Sequence, residues 1–277
     1  MMLQHHSVGK GYDMLLCIDI GNTNLVFGVW DGQSWRARYR VRTVHDKMAD
    51  EYAMMLKNLL HESGFELKTV SRVVIGSGVP QLKTVFQELF DRYLSIEPLF
   101  LGPGVKTGLS IRIDNPAELG ADLVADAVAA YERFKTACIV VDFGTATTFS
   151  AVSAQGEFMG VAIAPGIEVA AEALSSHAAQ LPEVNLSPPP KAIGTNTVHS
   201  MQSGLIFGFL GLVERLICCI REELGEDAEV IATGGHSRIF VPLTDVIEHV
   251  DLDLTLNGLR IIGDRNNREN VEFHTSV

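Results

Sequence analysis

Residues 15–32 read LLCIDIGNTNLVFGVWDG. Leu15 to Ile18 is a short apolar run ending on Asp19, the pattern of a buried strand. Gly21-Asn22-Thr23-Asn24 supplies turn residues, and Leu25 to Trp30 is a second apolar run closed by Asp31-Gly32. Two apolar runs about such a turn predict a β-hairpin. The turn also has chemistry of its own. Gly21 puts no side chain between a ligand and the backbone, and successive N–H groups can form an anion-binding concavity. Asn22, Thr23 and Asn24 add neutral donors. Asp19 stands where a carboxylate can hold hydrated Mg²⁺ against a phosphate. An ordinary hairpin turn is the other reading of the same residues.

The pattern returns. Residues 138–156 read CIVVDFGTATTFSAVSAQG: an apolar strand, Asp142, Gly144, a Thr-rich turn with Thr145, a second apolar strand and Gln155-Gly156. The two copies of Asp-x-Gly lie about half the chain apart. An internal repeat at that offset predicts two like domains. Facing each other, they would aim both turns into one cleft and grip one nucleotide from both sides.

Between the copies, Thr43 and Asp46 open an expected helix to about Ser63, with Gly64 as its stop. A buried strand follows at Val70 to Ile75, ending in Gly76-Ser77-Gly78, and Pro80 starts the next helix. Asp114-Asn115-Pro116 is expected to cap a helix running to about Phe134. Glu118, Asp122 and Asp126 would then stack on one face of it. Two readings of Asp122 stand: a solvated face, or a carboxylate projecting into the cleft as a general base. After the second copy come a strand over Gly160 to Ala164, a helix from Ile167 to about Ala179 and a proline-bearing loop over 181–191. A long helix from the Thr195-Asn196-Thr197 cap to Leu224 follows. Its Gly204, Gly208 and Gly211 cost stability unless something packs closely. A contact between subunits and close packing within one chain explain them equally. Glu229 to Thr233 is a strand ending in Gly234-Gly235, where an adenosine can rest on bare backbone. The tail after Gly263 reads as polar and frayed.

Composition bounds the function. The chain has 277 residues, 47% hydrophobic and 20% charged, enough for two domains with real cores. A net charge of −12 argues against nucleic acid and against an anionic membrane. Such a protein has no broad basic surface, so metal ions and backbone N–H groups must neutralise any phosphates it binds. Of the four cysteines, Cys17 and Cys138 sit within the apolar strands as small hydrophobes. No metal-ligand spacing and no disulfide framework are evident, which suits a reducing cytoplasm. Residues 1–13 lack an apolar core and a cleavage pattern and read as a disordered extension, with Met14 beginning the ordered chain. The apolar stretch from Gly204 to Val213 is too short to span a bilayer.

The sequence resembles the acetate and sugar kinase/Hsp70/actin superfamily, whose phosphate loops look like DIGNTN and DFGTATT. Within it, the chain is most similar to the type III pantothenate kinases. The resemblance runs from Met14 through nearly the whole chain. It rests on DIGNTN, on DNPAELGAD at Asp114 to Asp122, on DFGTATT, on GTNTVHSMQSG at Gly194 to Gly204 and on ATGG at Ala232 to Gly235. It implies an α/β fold of two tandem RNase H-like, actin-like ATPase domains, at 14–130 and 131–277, with a nucleotide cleft between them. It implies transfer of the ATP γ-phosphoryl group to the 4′-hydroxyl of pantothenate, the first step of coenzyme A biosynthesis. Asp122 matches the general base. Asp19, Ile20, Gly21, Asn22, Thr23, Asn24, Leu25 and Val26, with Thr145, Gly234 and Gly235, match nucleotide-holding positions. Asp19 would position Mg²⁺, and Asp142 matches a monovalent-cation site for K⁺ or NH₄⁺. Gly120, Ala121, Asp122, Leu123 and Thr197 match substrate positions, Thr197 reaching the neighbouring subunit's site in a homodimer.

Two positions depart. Most members read G-x-D-R, whereas here Gly120-Ala121-Asp122 is followed by Leu123, and many carry Tyr where this chain has Ile113. Losing the Arg removes a fixed cation beside the substrate that Leu cannot replace. A kinase for another small molecule, or a nucleotide-binding accessory protein, is the alternative those departures leave open. Retention of Asp122 favours an enzyme.

Overall fold

The computed structural model describes residues 14–225 and 227–267, so the expectation for residues 1–13 lies outside the described residues. The chain divides into a first unit that ends at Leu101 and a second that begins at Gly102. The sequence reading drew this line at 130/131.

The first unit opens with β1 (Met14–Ile20), β2 (Asn24–Trp30) and β3 (Trp35–Arg42). It continues through α1 (Ala49–Glu62), β4 (Val70–Ser77), α2 (Pro80–Leu94) and β5 (Leu99–Phe100). The strand order is β3-β2-β1-β4-β5. β1 and β2 form the hairpin read from the sequence, Ile18 facing Phe27 and Asp19 facing Val26. β4 runs parallel to β1. One sheet face carries Leu16, Ile18, Ile20, Leu25 and Phe27 into a core completed by Tyr52, Leu56, Phe86 and Phe90 from the helices. Aromatic pairs in such a core add about 0.5–1.5 kcal/mol beyond area burial, and the tilted rings of Tyr52 and Phe86 lie 4.9 Å apart between centroids.

α1 begins later than expected. Its N-cap is Met48, and the Glu51 side chain accepts from the Met48 N–H at 2.9 Å. Thr43, the expected opener, is instead bonded to the turn after β1. Met48 is 72% exposed and contributes nothing to the core.

The second unit contains β6 (Ser110–Ile111), α3 (Ala121–Phe134), β7 (Cys138–Phe143), β8 (Ala146–Val152) and β9 (Glu157–Pro165). Then come α4 (Ile167–His177), α5 (Thr197–Leu224), β10 (Glu229–Thr233), α6 (Ser237–Phe240), β11 (His249–Val250) and α7 (Leu254–Arg265). Its sheet runs β11-β10-β7-β8-β9-β6. With β6 set aside, this is the first sheet's order repeated: an antiparallel meander followed by two parallel strands. The duplication inferred from two motifs is therefore a duplication of topology.

Asn115 caps only a single 3₁₀ turn over Pro116–Glu118, and the α-helix starts afresh after Gly120. The expected stack of carboxylates dissolves. Glu118 is outside α3, Asp122 is exposed, and Asp126 is 1% exposed. Residues 254–265 form α7, an element the sequence reading did not name, which packs along α3. Their approach is close: a Cβ built on Gly258 would stand 1.9 Å from the Ala125 carbonyl oxygen. Of the tail expected to fray after Gly263, residues 264 and 265 close that helix, and those from 268 on lie outside the described residues.

α5 buries Leu205, Ile206, Phe209, Val213 and Ile217 in the second unit's core. At 28 residues it is long and apolar enough to cross a membrane by length and composition alone, unlike the shorter stretch read from the sequence. The proline-bearing loop is fastened to it: Gln202 donates to the Asn185 carbonyl at 3.0 Å and to Ser187 Oγ at 3.1 Å.

Candidate active site

In the first unit, the site residues cluster at the carboxyl ends of β1 and β4. Gly21 N–H donates to the Asn24 carbonyl at 3.0 Å, and a Cβ on Gly21 would stand 3.0 Å from that oxygen. The turn is therefore closed tightly over a bare backbone. Asn22 and Thr23 are exposed and Asp19 is half-buried. Asp19 pairs in register with Val26 on one side and Gly76 on the other. Ile20 and Leu25 are wholly buried, so their side chains are core and only their backbone is available to a ligand. The segment after β3 braces the turn. Thr43 Oγ1 donates to the Gly21 carbonyl at 2.7 Å, Thr43 N–H donates to the Thr23 carbonyl at 2.9 Å, and His45 Nε2 lies 3.2 Å from the Asn22 carbonyl.

The second unit builds its counterpart from more pieces. Asp142 is half-buried at the end of β7, beside Thr233 of β10 in register. Gly234 follows with φ +84°, and its Cβ position lies 2.4 Å from Asp142 Oδ1. Gly166, at the N-terminus of α4, donates its N–H to the Thr145 carbonyl at 3.0 Å, and its Cβ position is 2.4 Å from the carbonyls of Gly144 and Thr145. Ser237 Oγ donates to the Gly234 carbonyl at 2.8 Å. Gly234 and Gly166 thus let two backbone segments close in, one on the Asp142 carboxylate and one on the exposed Thr145. The structure sets Gly234 against Asp142, and Gly166 against Thr145.

Asp122 sits in the first turn of α3, exposed, in the favourable place for a negative charge on the helix dipole. A Cβ on Gly120 would stand 2.5 Å from Asp122 Oδ1. Glycine there leaves the carboxylate room. Ala121 and Leu123, on either side, are each 9% exposed and face inward. Thr197 is exposed as the first residue of α5, whose N-cap Asn196 accepts from the His199 N–H at 2.9 Å.

One feature escaped the sequence reading. A cavity of about 420 Å³ is lined by Glu168, Glu172, Ser175, Glu183, Asn185 and His236 among others, His236 being the residue after Gly234-Gly235. His236 Nε2 lies 3.0 Å from Glu168 Oε1. The two come from separate elements and no linear spacing links them; the only signal was His236 directly following the glycine pair.

The donor set fits a hydrated Mg²⁺. Among the described residues no cluster of three His, Cys, Asp or Glu side chains could hold a metal alone. Mg²⁺ is ordinarily held by one or two carboxylates with substrate phosphates and water, which is what Asp19 beside an open backbone turn provides. The crowding of Gly234 against Asp142 likewise leaves a carboxylate and carbonyl oxygens at one point, a set that suits a hard cation.

A model of the type III pantothenate kinase family matches residues 15–218. A curated relative from Moorella thermoacetica, named type III pantothenate kinase, is 49% identical over 253 residues, covering 91% of this chain and all of the relative. One of the same name from Anaeromyxobacter sp. (strain Fw109-5) is 47% identical over the same extent. Among solved structures, a Campylobacter jejuni protein assigned to the Baf family of transcriptional activators aligns with a TM-score of 0.59 at 20% identity, over 91% of this chain and 98% of that one. MreB 5 of Spiroplasma citri, bound to AMPPNP, aligns with a TM-score of 0.58 at 10% identity, over 95% and 99%. At those identities the structures speak for the fold alone: two RNase H-like units of the actin-like ATPase kind.

Proposed function

The chain belongs to the type III pantothenate kinase family, and we infer from that membership that it transfers the ATP γ-phosphoryl group to pantothenate, giving 4′-phosphopantothenate in the first step of coenzyme A biosynthesis. It is a phosphotransferase acting on an alcohol. The observation that carries the reading is Asp122: an exposed carboxylate in the first turn of α3, with glycine beside it and, among the described residues, no donor bonded to it. It is free to take a proton from a substrate hydroxyl.

The remaining roles follow from the residues' settings. Asp19 holds Mg²⁺, whose chemistry when bound is to neutralise phosphate oxygens. The backbone from Gly21 to Asn24, with Thr145, cradles the phosphates. Phosphoryl transfer asks mainly for such positioning and charge stabilisation. Asp142 and its neighbouring carbonyls hold a monovalent cation. The cavity that His236 lines receives the adenosine, and Glu168, Glu183 and Asn185 offer acceptors to its amino group. Gly120 and Thr197 meet the acceptor substrate.

A homodimer joined along α5 completes the reading. Among the described residues, nothing outside the neighbouring helix backbone comes within 4 Å of a Cβ built on Gly204, Gly208 or Gly211. That open surface supports a contact with a second copy. Four free thiols suit a reducing cytoplasm.

A coupled ADP-release assay tests the function. ADP should form only when pantothenate is added, should require Mg²⁺, and should form faster in K⁺ than in Na⁺. ADP release that ignores pantothenate would overturn the reading.

A further inference from the structure

β3 reads WRARYRVR, with Arg36, Arg38, Arg40 and Arg42 exposed and Ala37, Tyr39 and Val41 turned toward the core. It is the edge strand of its sheet. Charge on an edge strand discourages pairing with other chains, and that would account for arginines anywhere along it. Their register gives two of them a more particular position. Arg40 is opposite Val26 on β2, and Val26 is opposite Asp19 on β1. Arg42 is opposite Asn24, the last residue of the turn. Residues directly opposite one another in antiparallel strands share a sheet face. Arg40, Val26 and Asp19 therefore form one row, spanning two strand spacings, or about 10 Å between backbones. The next residue, Thr43, is bonded to the Gly21 and Thr23 carbonyls, so the end of β3 and the turn move as one body.

The arginines also differ in their partners. Arg36, at the far end, is ion-paired with Asp31 at 3.0 Å. Among the described residues neither the Arg40 nor the Arg42 side chain has an ion pair or a hydrogen bond. Two unneutralised guanidinium groups beside an anion-binding turn are notable in a chain of net charge −12. Guanidinium is always charged and its fork matches phosphate oxygens.

We propose that Arg40 and Arg42 are positioning residues for the polyphosphate tail of the nucleotide at the first unit's turn. This rests on the kinase reading above. The two arginines supply the fixed positive charge that neither the turn's N–H groups nor Asp19 can, and they hold the tail against the Asp19-bound end.

The test is equilibrium binding of ATP, ADP and adenosine to full-length protein carrying Arg40→Gln, Arg42→Gln, both together, or Arg36→Gln. Charge-assisted hydrogen bonds of this kind correspond to roughly 10-fold or more in affinity each. Each single substitution should weaken ATP by about that factor and the double by more. ADP should lose less, and adenosine and Arg36→Gln should show no change. Arg40→Lys should recover part of the loss, and the double variant should show a shallower dependence of ATP affinity on salt. Equal loss for ATP and adenosine, an equal loss from Arg36→Gln, or an unchanged ATP affinity would overturn the proposal. Self-association of the double variant at unchanged ATP affinity would overturn it in favour of edge protection. If the parent phosphorylates pantothenate while the double variant binds ATP normally, this proposal fails alone. If the parent does not bind ATP, the kinase reading fails with it.

Discussion

A side chain at Gly234 has no place to go, because Asp142 already fills it: a Cβ there would stand 2.4 Å from Asp142 Oδ1 and 2.6 Å from the Phe143 carbonyl. Gly234 also has φ +84°, where an L-residue is strained. Gly234→Ala should lower stability by about 1–3 kcal/mol and disturb the Asp142 carboxylate. Thermal melting should fall by several degrees, and any stimulation by K⁺ should shrink. A melt and a cation response both equal to the parent's would contradict the packing described.

Asp122→Asn should separate chemistry from binding. The side chain is exposed and contributes nothing to the core. Turnover should fall by about 10²–10⁴-fold, the usual share of a general base, with ATP affinity and melting temperature nearly unchanged. A loss of less than threefold would remove Asp122 from that role.

Leu123→Arg reverses the departure from G-x-D-R, and its outcome is set by burial. Leu123 is 9% exposed, so a charge there must be buried or force the first turn of α3 open. The substitution should destabilise the protein by about 1–3 kcal/mol rather than simply lower the KM for pantothenate. Unchanged melting together with a lower KM would mean that the position opens onto substrate.

Gly208→Leu tests the α5 surface with opposite signs. Among the described residues nothing outside the neighbouring helix backbone stands within 4 Å of a Cβ built on Gly208, and Leu is the better helix former by up to about 1 kcal/mol. The isolated fold should therefore be no less stable. A dimer packed across those glycines should be lost, which sedimentation at micromolar concentration would register as a monomer. A variant that remains as dimeric as the parent would place the subunit contact elsewhere.

Asp31 closes the β2–β3 hairpin and gives a pH signature. Its carboxyl is held below the ordinary value of 3.8 chiefly by N–H donation from Ser34, then from Gln33, with the Arg36 guanidinium adding to it. A depressed folded-state pKa means that this stabilisation is fully present above about pH 4 and fades as pH falls through the folded value. Asp31→Ala should lower the melting temperature by roughly 2–4 °C at pH 7. That gap should close as the pH is taken toward 2. A gap that stayed constant with pH would deny the carboxylate its part.

The hairpins, and hence the duplicated fold, were legible because strand–turn–strand patterns are local and occurred twice. The two helix starts were misread for a physical reason. Thr43 looks like a cap, but its hydroxyl donates to the Gly21 carbonyl in the turn after β1. Asn115 and Pro116 are good cap residues that cap only a 3₁₀ turn, since the chain must extend again at Leu119 and Gly120 before α3. α7 was missed although Leu256, Leu259 and Ile262 give a helical spacing; the polar residues after it coloured the whole tail. Among the candidate site residues, Asp19 and Asp142 stood out because each precedes a glycine turn at the end of an apolar run, while the role given to Asp142 came with the family resemblance. The pairing of His236 with Glu168 could not, because it exists only after α4 and the residues following β10 have folded together. The arginines of β3 alternate with apolar residues, and only the strand register sets Arg40 on the row of Asp19.

The packing of α7 on α3 gives the protein a timetable. The first unit is complete once the chain is made as far as Leu101, and it can fold while synthesis continues. The second cannot finish in the same way. α3 presents an apolar surface as soon as residue 134 is made, yet the helix that packs along it, with Gly258 set against Ala125, is the last one built. At ordinary rates of translation that leaves on the order of ten seconds in which α3 must be shielded by something other than its native partner. Asp122, the proposed base, rides on that helix. It is settled only once α7 has been made, and a nascent protein cut short before residue 254 carries both Asp-x-Gly turns without that packing.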